Sequence, residues 1–468
     1  MSKSKGNGVN SNIIITYNVL STVILYAITF FSSPIFSRML GTSQYGIVQV
    51  YNTWHSFFAI IVGLMTRGIL PMARVKYAEQ EQESVQSSVL GLSVTAFFVV
   101  SLITLSLQRY IVSFFGMDLK FLVVMLLHSF GTFCVLFINA KFTYEMKARN
   151  NLFLSVSLAL TTFALSFLLL KQVDPDTRYA ARILGMAIPY IVAGAIAAGY
   201  IFLRGKLFYR AEYWKFALPL CGPLIFHSIS GMICASGDRI MIQKLMSVSA
   251  VGIYTLAYNF ANIMDSIWVS LNHSWTPFMV DYVKENQYDT LKERSANYIR
   301  IYTCLCMGFI LLTPEVFHMY AERSYWNGTN IIPIVVMSQF AIFIYAFASN
   351  YEFCFMRTDF VAIGSVIAGA TNIMLNFVLI PTGGYLGAAV ATVLSNVVLV
   401  FFHVWFARRL AGEKWVYSAN MFLPAIIGLV AISAVYYLCF ELWLIRWLLA
   451  AGIGIYMVLD IYRRKSIF

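Results

Sequence analysis

Two basic residues, Arg38 and Lys244, occupy the same place in two related stretches of the chain. Residues 36–52 read FSRMLGTSQYGIVQVYN, and residues 242–258, which lie 206 positions later, read IQKLMSVSAVGIYTLAY. Each stretch joins two long apolar segments. The repeat therefore predicts two related halves that each carry a cation at the same hairpin, as in a transporter with a shared central path.

Further charged residues fall inside or at the ends of apolar segments. There a basic side chain costs about 2.5–3.5 kcal/mol on insertion scales and needs a partner, a wet cavity or a route to the interface. Arg67 ends the second apolar segment, and Arg182 begins the sixth. Arg239 follows Asp238 at the end of the seventh, and helical neighbours point in different directions, so these two side chains should take different partners.

The candidate substrate-binding cations are therefore Arg38, Lys244, Arg67, Arg182 and Arg239. The alternative for each is that it anchors a helix end by extending to the interface or to the cytoplasmic face. That alternative is strongest for Arg67.

Two carboxylates are candidates for ion or proton coupling. Asp265 lies within the eighth apolar segment, where the matching position of the first half holds an alanine, and Asp238 is the second candidate. A local salt bridge or a hydrogen-bonded structural carboxylate is the alternative for Asp265. The histidines show no metal-ligand spacing, so no metal site is predicted; we single out His227 and His273 and interpret the other four as packed.

The composition indicates a membrane protein. The chain is 60% hydrophobic and 12% charged, with a mean hydropathy of +0.73, whereas a soluble domain carries about 25% charged residues. Fourteen apolar segments of near-spanning length run from 13–36 to 442–462. These predict an all-α polytopic fold. Most of the 33 Lys and Arg residues fall in alternate loops, which predicts cytoplasmic termini and assigns the basic charge to inner-leaflet anchoring, not to nucleic acid.

The internal repeat predicts the domain organisation. The same offset pairs Pro71 with Pro277 and Pro175 with Pro381, so the relationship extends over six helices. We predict two parallel six-helix lobes, residues 1–206 and 207–412. Residues 413–468 would add two transmembrane helices outside the repeat.

Several motifs are absent from the sequence. It has no GxxxxGK[ST] phosphate-binding loop and no CxxC pair, so we predict neither an ATP site nor any other cofactor. A membrane glycosyltransferase or polymerase would need a sizeable outer loop that carries carboxylates or arginines for glycosyl chemistry. The predicted outer loops are short turns, so we predict no enzyme and no catalytic residue.

Five stretches together resemble the polysaccharide-biosynthesis flippases of the multidrug/oligosaccharidyl-lipid/polysaccharide exporter superfamily. They are SRMLGTSQYG, GLMTRGILPMARVKYAEQ, GDRIMIQKLMSVSAVGIYTLAYN, WTPFM and NIMLNFVLIPTGGYLGAAVAT. The resemblance implies two lobes in a V, as in MATE-type transporters, with a cationic central cavity. It also implies alternating access that moves undecaprenyl-pyrophosphate-linked oligosaccharide from the inner to the outer leaflet. Arg38 matches the arginine of the family's first hairpin.

The resemblance also implies the setting and the partners. The setting is a bacterial or archaeal cytoplasmic membrane, and the product supplies O-antigen, capsule or exopolysaccharide assembly. Expected partners are membrane lipids, an ion or proton counter-substrate, and a polymerase with other assembly proteins. The alternatives are a MATE-type multidrug/ion antiporter of the same superfamily and, more distantly, a membrane glycosyltransferase or polymerase.

Overall fold

The computed structural model describes residues 11–116, 118–355 and 359–464, and these residues form helices joined by short turns without a strand. A helix satisfies its backbone hydrogen bonds within one segment, as hydrocarbon requires. The all-α prediction is confirmed. The predicted cytoplasmic ends, residues 1–10 and 465–468, lie outside the described residues.

The helices are α1 (Ser11–Val62), α2 (Leu70–Lys76), α3 (Gln82–Ser106), α4 (Gln108–Phe115), α5 (Leu119–Tyr144), α6 (Ala148–Gln172), α7 (Arg178–Gly205), α8 (Ala211–Leu245), α9 (Val248–Ala261), α10 (Ile263–Lys284), α11 (Tyr288–Tyr320), α12 (Ile332–Cys354), α13 (Asp359–Ala411), α14 (Ala419–Leu438) and α15 (Trp443–Arg464).

Eleven helical segments of the described chain are long and apolar enough to cross a membrane. Two of them, Leu20–Val62 and Ile363–Lys414, have 43 and 52 residues, whereas one crossing needs about 20. Each contains a glycine in the left-handed region, Gly41 with a φ of 66° and Gly384 with a φ of 60°. Glycine reaches these angles without steric cost, so each long segment can turn there. The predicted total of fourteen crossings stays a prediction.

The breaks fall at matching positions of the predicted repeat. Gly41 corresponds to Ser247, the residue that caps the start of α9, and Gly384 corresponds to Arg178, where α7 begins. Both copies of the first hairpin, residues 36–52 and 242–258, therefore turn at the same place.

The described residues form two compact units. One contains residues up to Leu40 and Ile47–Met232, and the other contains Gly41–Gly46 and the chain from Ile233 onward. In the first unit, α3, α5 and α7 pack around a buried apolar cluster that includes Val89, Phe137 and Ile201. The lobe boundaries at residues 206 and 412 stay a prediction.

In the second unit, α12 packs against α13, and both α14 and α15 pack against α11. Arg446 anchors α15: its side chain is buried, forms an ion pair with Glu315 and donates to the carbonyl oxygens of Leu311 and Cys439. A buried arginine is stable only when its donors are satisfied in this way. The two helices after residue 412 are therefore firmly attached to the second unit.

Candidate functional site

The chain is distorted immediately before Arg67. Leu64 and Met65 have φ values of 48° and 52°, a region that residues with a β-carbon rarely occupy. A 3-10 turn, Thr66–Ile69, then carries Arg67 to the start of α2. Strained backbone of this kind persists only where the surroundings fix it, and it is concentrated at functional sites.

The neighbours of Arg67 hold this turn in place. The hydroxyl group of Thr66 lies 2.6 Å from that of Ser93 on α3, and Ser93 also donates to the carbonyl oxygen of Gly63 at 3.1 Å. On the next residue, Gly68, a β-carbon would lie 3.1 Å from Leu224 of α8. The main chain around the arginine is thus tied to two other helices of the first unit.

The side chain of Arg67 is half-buried, and it has no hydrogen-bond or ion-pair partner among the residues that the structure describes. Burial lowers the pKa of its guanidinium group below the ordinary value. An anion bound there would restore the lost solvation with charge-assisted hydrogen bonds. Arg67 therefore combines a fixed backbone with unused donors.

The other two cations of the first unit differ from Arg67. Arg182 donates to the hydroxyl group of Ser166 at 2.5 Å, and its guanidinium group lies 3.7 Å from the ring centre of Phe36. Arg38 is an exposed residue of α1. Arg182 thus has structural partners that also orient it, and an anion would have to share it with them.

Lys244, Asp238 and Arg239 lie on the last turns of α8, in the second unit. Lys244 is exposed, whereas Asp238 is only 4% exposed and accepts a hydrogen bond from the hydroxyl group of Tyr254. The guanidinium group of Arg239 donates to Ser236 at 3.2 Å and lies 5.9 Å from the ring of Tyr258. The two neighbours therefore take different side-chain partners, as predicted from their spacing.

Asp265 lies in the first turn of α10. The indole nitrogen of Trp268 donates to its carboxylate at 3.0 Å, and the residue is half-buried. The carboxylate therefore accepts a side-chain hydrogen bond from Trp268 and remains partly exposed. The predicted coupling role stays a prediction.

The predicted cations thus fall into two groups, with Arg38, Arg67 and Arg182 in the first unit and Lys244 and Arg239 in the second. Within the second group, Arg239 shares α8 with the carboxylate Asp238. The predicted pairing of Arg38 with Lys244 stays a prediction.

Sequence reasoning missed the polar groups that the fold buries most deeply. The side chains of His403 and Glu352 form a fully buried hydrogen-bonded pair between α13 and α12. In the first unit, the rings of His55 and His128 stack at 3.9 Å. His227 and His273, which the sequence singled out, are both exposed. Glu352 could have been found as an acidic residue inside an apolar segment, which is a functional hypothesis by default.

A further buried cation, Lys141, lies at the end of α5. It is 2% exposed and donates to Gln86 at 2.5 Å and to Glu145 at 2.7 Å, while Lys147 donates to the other oxygen of Glu145 at 2.7 Å. Burial alone would raise the pKa of the Glu145 carboxyl, but the two lysines outweigh it and hold that pKa below its ordinary value. This cluster ties the last turn of α5 to the first turns of α3.

The second unit contains an apolar cleft of about 900 Å³ between α11, α12, α13 and α14. Its walls include Ala341, Ile344 and Val400, and its exposed rim carries two acidic and two basic residues, Asp289, Glu413, Lys292 and Arg408. An apolar cavity with charged groups at its rim suits a molecule with a hydrocarbon chain and a polar head.

The sequence profile of the polysaccharide biosynthesis protein family matches residues 13–283, more than half of the chain. The chain belongs to this family. The resemblance noted in the sequence is thereby confirmed. Two relatives from Haemophilus influenzae match most of the chain. An uncharacterized membrane protein is 22% identical over 380 residues, 77% of this chain and 90% of the relative. The Lsg locus putative protein 1 is 21% identical over 389 residues, 77% and 91% of the two chains.

Solved structures confirm the fold of this family member. The lipid II flippase MurJ, in an inward closed conformation, has a TM-score of 0.71 at 14% identity, and the likeness covers 97% of this chain and 99% of that one. An inward-facing MATE family multidrug resistance transporter of the MOP superfamily has a TM-score of 0.60 at 13% identity, over 83% and 94% of the chains. The chain is thus a multi-pass membrane protein with the fold of flippases and transporters, and these relatives agree with the prediction that it is not an enzyme.

Proposed function

We propose that this protein is a flippase that moves a lipid-linked oligosaccharide across a membrane by alternating access. The observation that carries the proposal is Arg67, a half-buried guanidinium group on a fixed turn with no partner among the described residues. Family membership and the fold shared with the lipid II flippase support it. The finer proposal is an undecaprenyl-pyrophosphate carrier moved from the inner to the outer leaflet of a bacterial or archaeal cytoplasmic membrane.

The charge of the substrate explains why cations are needed. A pyrophosphate group that crosses hydrocarbon must be neutralised, and an arginine offers two parallel hydrogen bonds to it. We rank Arg67 first because its donors are unused. Arg182 and Arg239 already have structural partners, so we rank them after Arg67 as ligands of the pyrophosphate. Arg38 and Lys244 complete the proposed set.

The lipid part of the substrate needs a separate surface. The apolar cleft between α11, α12, α13 and α14 would hold part of a polyprenyl chain, and Lys292 and Arg408 at its rim would face the headgroup region. The surrounding lipid tails are as apolar as the cleft, so the cleft would select a tail by close packing and not by transfer out of water. A cleft of this size would therefore distinguish a long isoprenoid tail from a short one.

Transport would be driven by an ion or proton gradient, with Asp265 and Asp238 as the proposed coupling carboxylates. The second candidate function is a MATE-type multidrug/ion antiporter, which the TM-score of 0.60 with such a transporter favours. That function would use the same fold for a soluble drug, and it would not need a polyprenyl cleft.

Deletion of the gene from its host tests the proposal. We expect lipid-linked repeat units to accumulate in the inner leaflet, because nothing moves them across the membrane. O-antigen, capsule or exopolysaccharide assembly by the polymerase and its partners would then lack substrate. Normal surface polysaccharide in the deletion strain, with drug sensitivity instead, would favour the antiporter. The control is a plasmid copy of the gene, which should restore the surface polysaccharide.

A further inference from the structure

A carboxylate and an imidazole ring meet in the interior of the second unit. The Nδ1 atom of His403 lies 2.8 Å from Oε1 and 2.9 Å from Oε2 of Glu352, and both side chains are 0% exposed. Both residues lie within apolar segments of spanning length, Arg323–Cys354 and Ile363–Lys414. Ionisable groups at such a depth are costly, and they usually mark a functional site.

Neither protonation state of this pair satisfies all of its buried polar groups. Nδ1 faces both carboxylate oxygens, so beside an ionised Glu352 it carries a proton and donates it. The other ring nitrogen, Nε2, is buried and has no hydrogen-bond partner among the described residues. If Nε2 lacks a proton, the pair has a net negative charge; if Nε2 has one, the pair is neutral but the N–H group has no acceptor. Both states are unfavourable in a dry interior.

A glycine closes the site at Nε2. A β-carbon on Gly364, in the first part of α13, would lie 2.1 Å from this nitrogen. Tyr345 of α12 packs its ring against the imidazole with 4.7 Å between ring centres, and it is the titratable group that faces the pair from that helix. From α13, the backbone at Gly364 and the ring of Phe402 face it. A small movement of the Gly364 segment would therefore open Nε2 to water or to an acceptor.

We propose that Glu352 and His403 form a proton-binding site that exchanges its proton at Nε2 when the Gly364 segment moves away from the ring. The proton comes from water and returns to water, Nδ1 keeps its own proton throughout, and the net charge of the pair changes from −1 to 0. In the closed interior the neutral pair is the less unfavourable state, because an unsatisfied N–H group costs less than a buried net charge, and the charged pair suits a hydrated interior. Proton binding itself does not depend on the cargo; its use to drive transport rests on the proposed flippase function.

Nitrogen NMR of the full chain, labelled with ¹⁵N-histidine and reconstituted in lipid nanodiscs, tests this proposal. The His403→Gln variant assigns the signals of the ring, which are then followed over about pH 5 to 9. We expect Nε2 to gain a proton as the pH falls, and Glu352→Gln to lower its proton affinity at least tenfold because a nearby carboxylate favours the charged ring. Glu441→Gln, at an exposed position, is the matched control and should change nothing.

A His403 ring whose protonation is constant over this range, or is unaffected by Glu352→Gln, would overturn the proposal. The Gly364→Ala variant tests the closing contact: we expect the added methyl group to displace the ring from Glu352 and to lower the proton affinity as far as Glu352→Gln does. Gly308→Ala adds a methyl group into open space and should behave as wild type. An unchanged titration in Gly364→Ala would contradict the role of this contact. Since no cargo is present, failure here leaves the flippase proposal standing.

Discussion

A β-carbon on Gly46 would lie 1.9 Å from the carbonyl oxygen of Val248. The reciprocal contact is nearly the same, because a β-carbon on Gly252 would lie 2.1 Å from the carbonyl oxygen of Thr42. Gly46 matches Gly252 in the repeat, and Thr42 matches Val248, so residues 42–46 and 248–252 of the second unit cross through two equivalent contacts. The hydroxyl group of Ser249 adds a hydrogen bond of 2.7 Å to that of Thr42.

This crossing predicts equal sensitivity at its two glycines. Gly46→Ala and Gly252→Ala should each destabilise the protein by about 1–3 kcal/mol, because the opposing backbone must shift to admit a methyl group. Thermal melting in detergent micelles measures the effect. Gly199→Ala, which would meet nothing within 4 Å, is the control. If either crossing variant melted like wild type, the close approach would be absent from the protein in solution.

The apolar cleft predicts selectivity for tail length. Ala341→Trp places a large side chain in the cleft and should slow the transport of a full-length polyprenyl substrate about tenfold, with less effect on an analogue that has a short tail. Leu438→Trp, at a highly exposed position of α14, is the matched control. Equal slowing of both substrates by Ala341→Trp would show that the cleft does not hold the tail. Rates are compared in liposomes of the same lipid composition.

The Glu145 cluster predicts a stability that depends on pH. The pKa of Glu145 is lower in the folded protein than its ordinary value, so its contribution is complete above that value and is lost as the pH falls through the folded pKa. Glu145→Gln should therefore reduce stability at pH 7 by about 1 kcal/mol. The difference from wild type should shrink as the pH falls below about 4. Melting temperatures across this range test the sign, and a gap that widened at low pH would contradict it.

The coupling hypothesis for Asp265 predicts a selective loss. In Asp265→Asn the amide oxygen can still accept from Trp268, so the fold should be retained while the charge is lost. We expect transport driven by an ion or proton gradient to fall at least tenfold, and transport down the substrate gradient to continue. Asp118→Asn, an exposed carboxylate at the start of α5, is the control. Unchanged gradient dependence in Asp265→Asn would leave Asp265 as a structural partner of Trp268.

The fold class and the matching turns could be predicted from the sequence because they depend on local patterns. Apolar length predicts spanning helices, and the repeated hairpin predicts a turn at the same place in both copies, where Gly41 and Ser247 lie. The turn before Arg67 was different. Leu64 and Met65 are ordinary apolar residues, so nothing in their types predicts a left-handed backbone; tertiary contacts such as that between Thr66 and Ser93 hold it.

The state of each charged side chain also required the structure. Arg67 and Arg182 look alike in sequence, yet only the fold brings Ser166 and Phe36 to Arg182. Glu352 and His403 are 51 positions apart, and helix packing alone brings them together. Residue type and spacing therefore identify the candidate cations. Tertiary contacts determine which of these cations already have a protein partner.

Flippase activity is measured by the movement of a labelled undecaprenyl-pyrophosphate oligosaccharide between the leaflets of liposomes that contain the purified protein. We expect wild type to move it, Arg67→Ala to be at least tenfold slower because the pyrophosphate loses its cation, and Arg67→Lys to keep part of the rate. Arg109→Ala, at an exposed arginine, should match wild type. Failure of the wild-type protein to move this lipid would rule out the proposed flippase function, and full activity in Arg67→Ala would rule out Arg67 as the cation that binds the pyrophosphate.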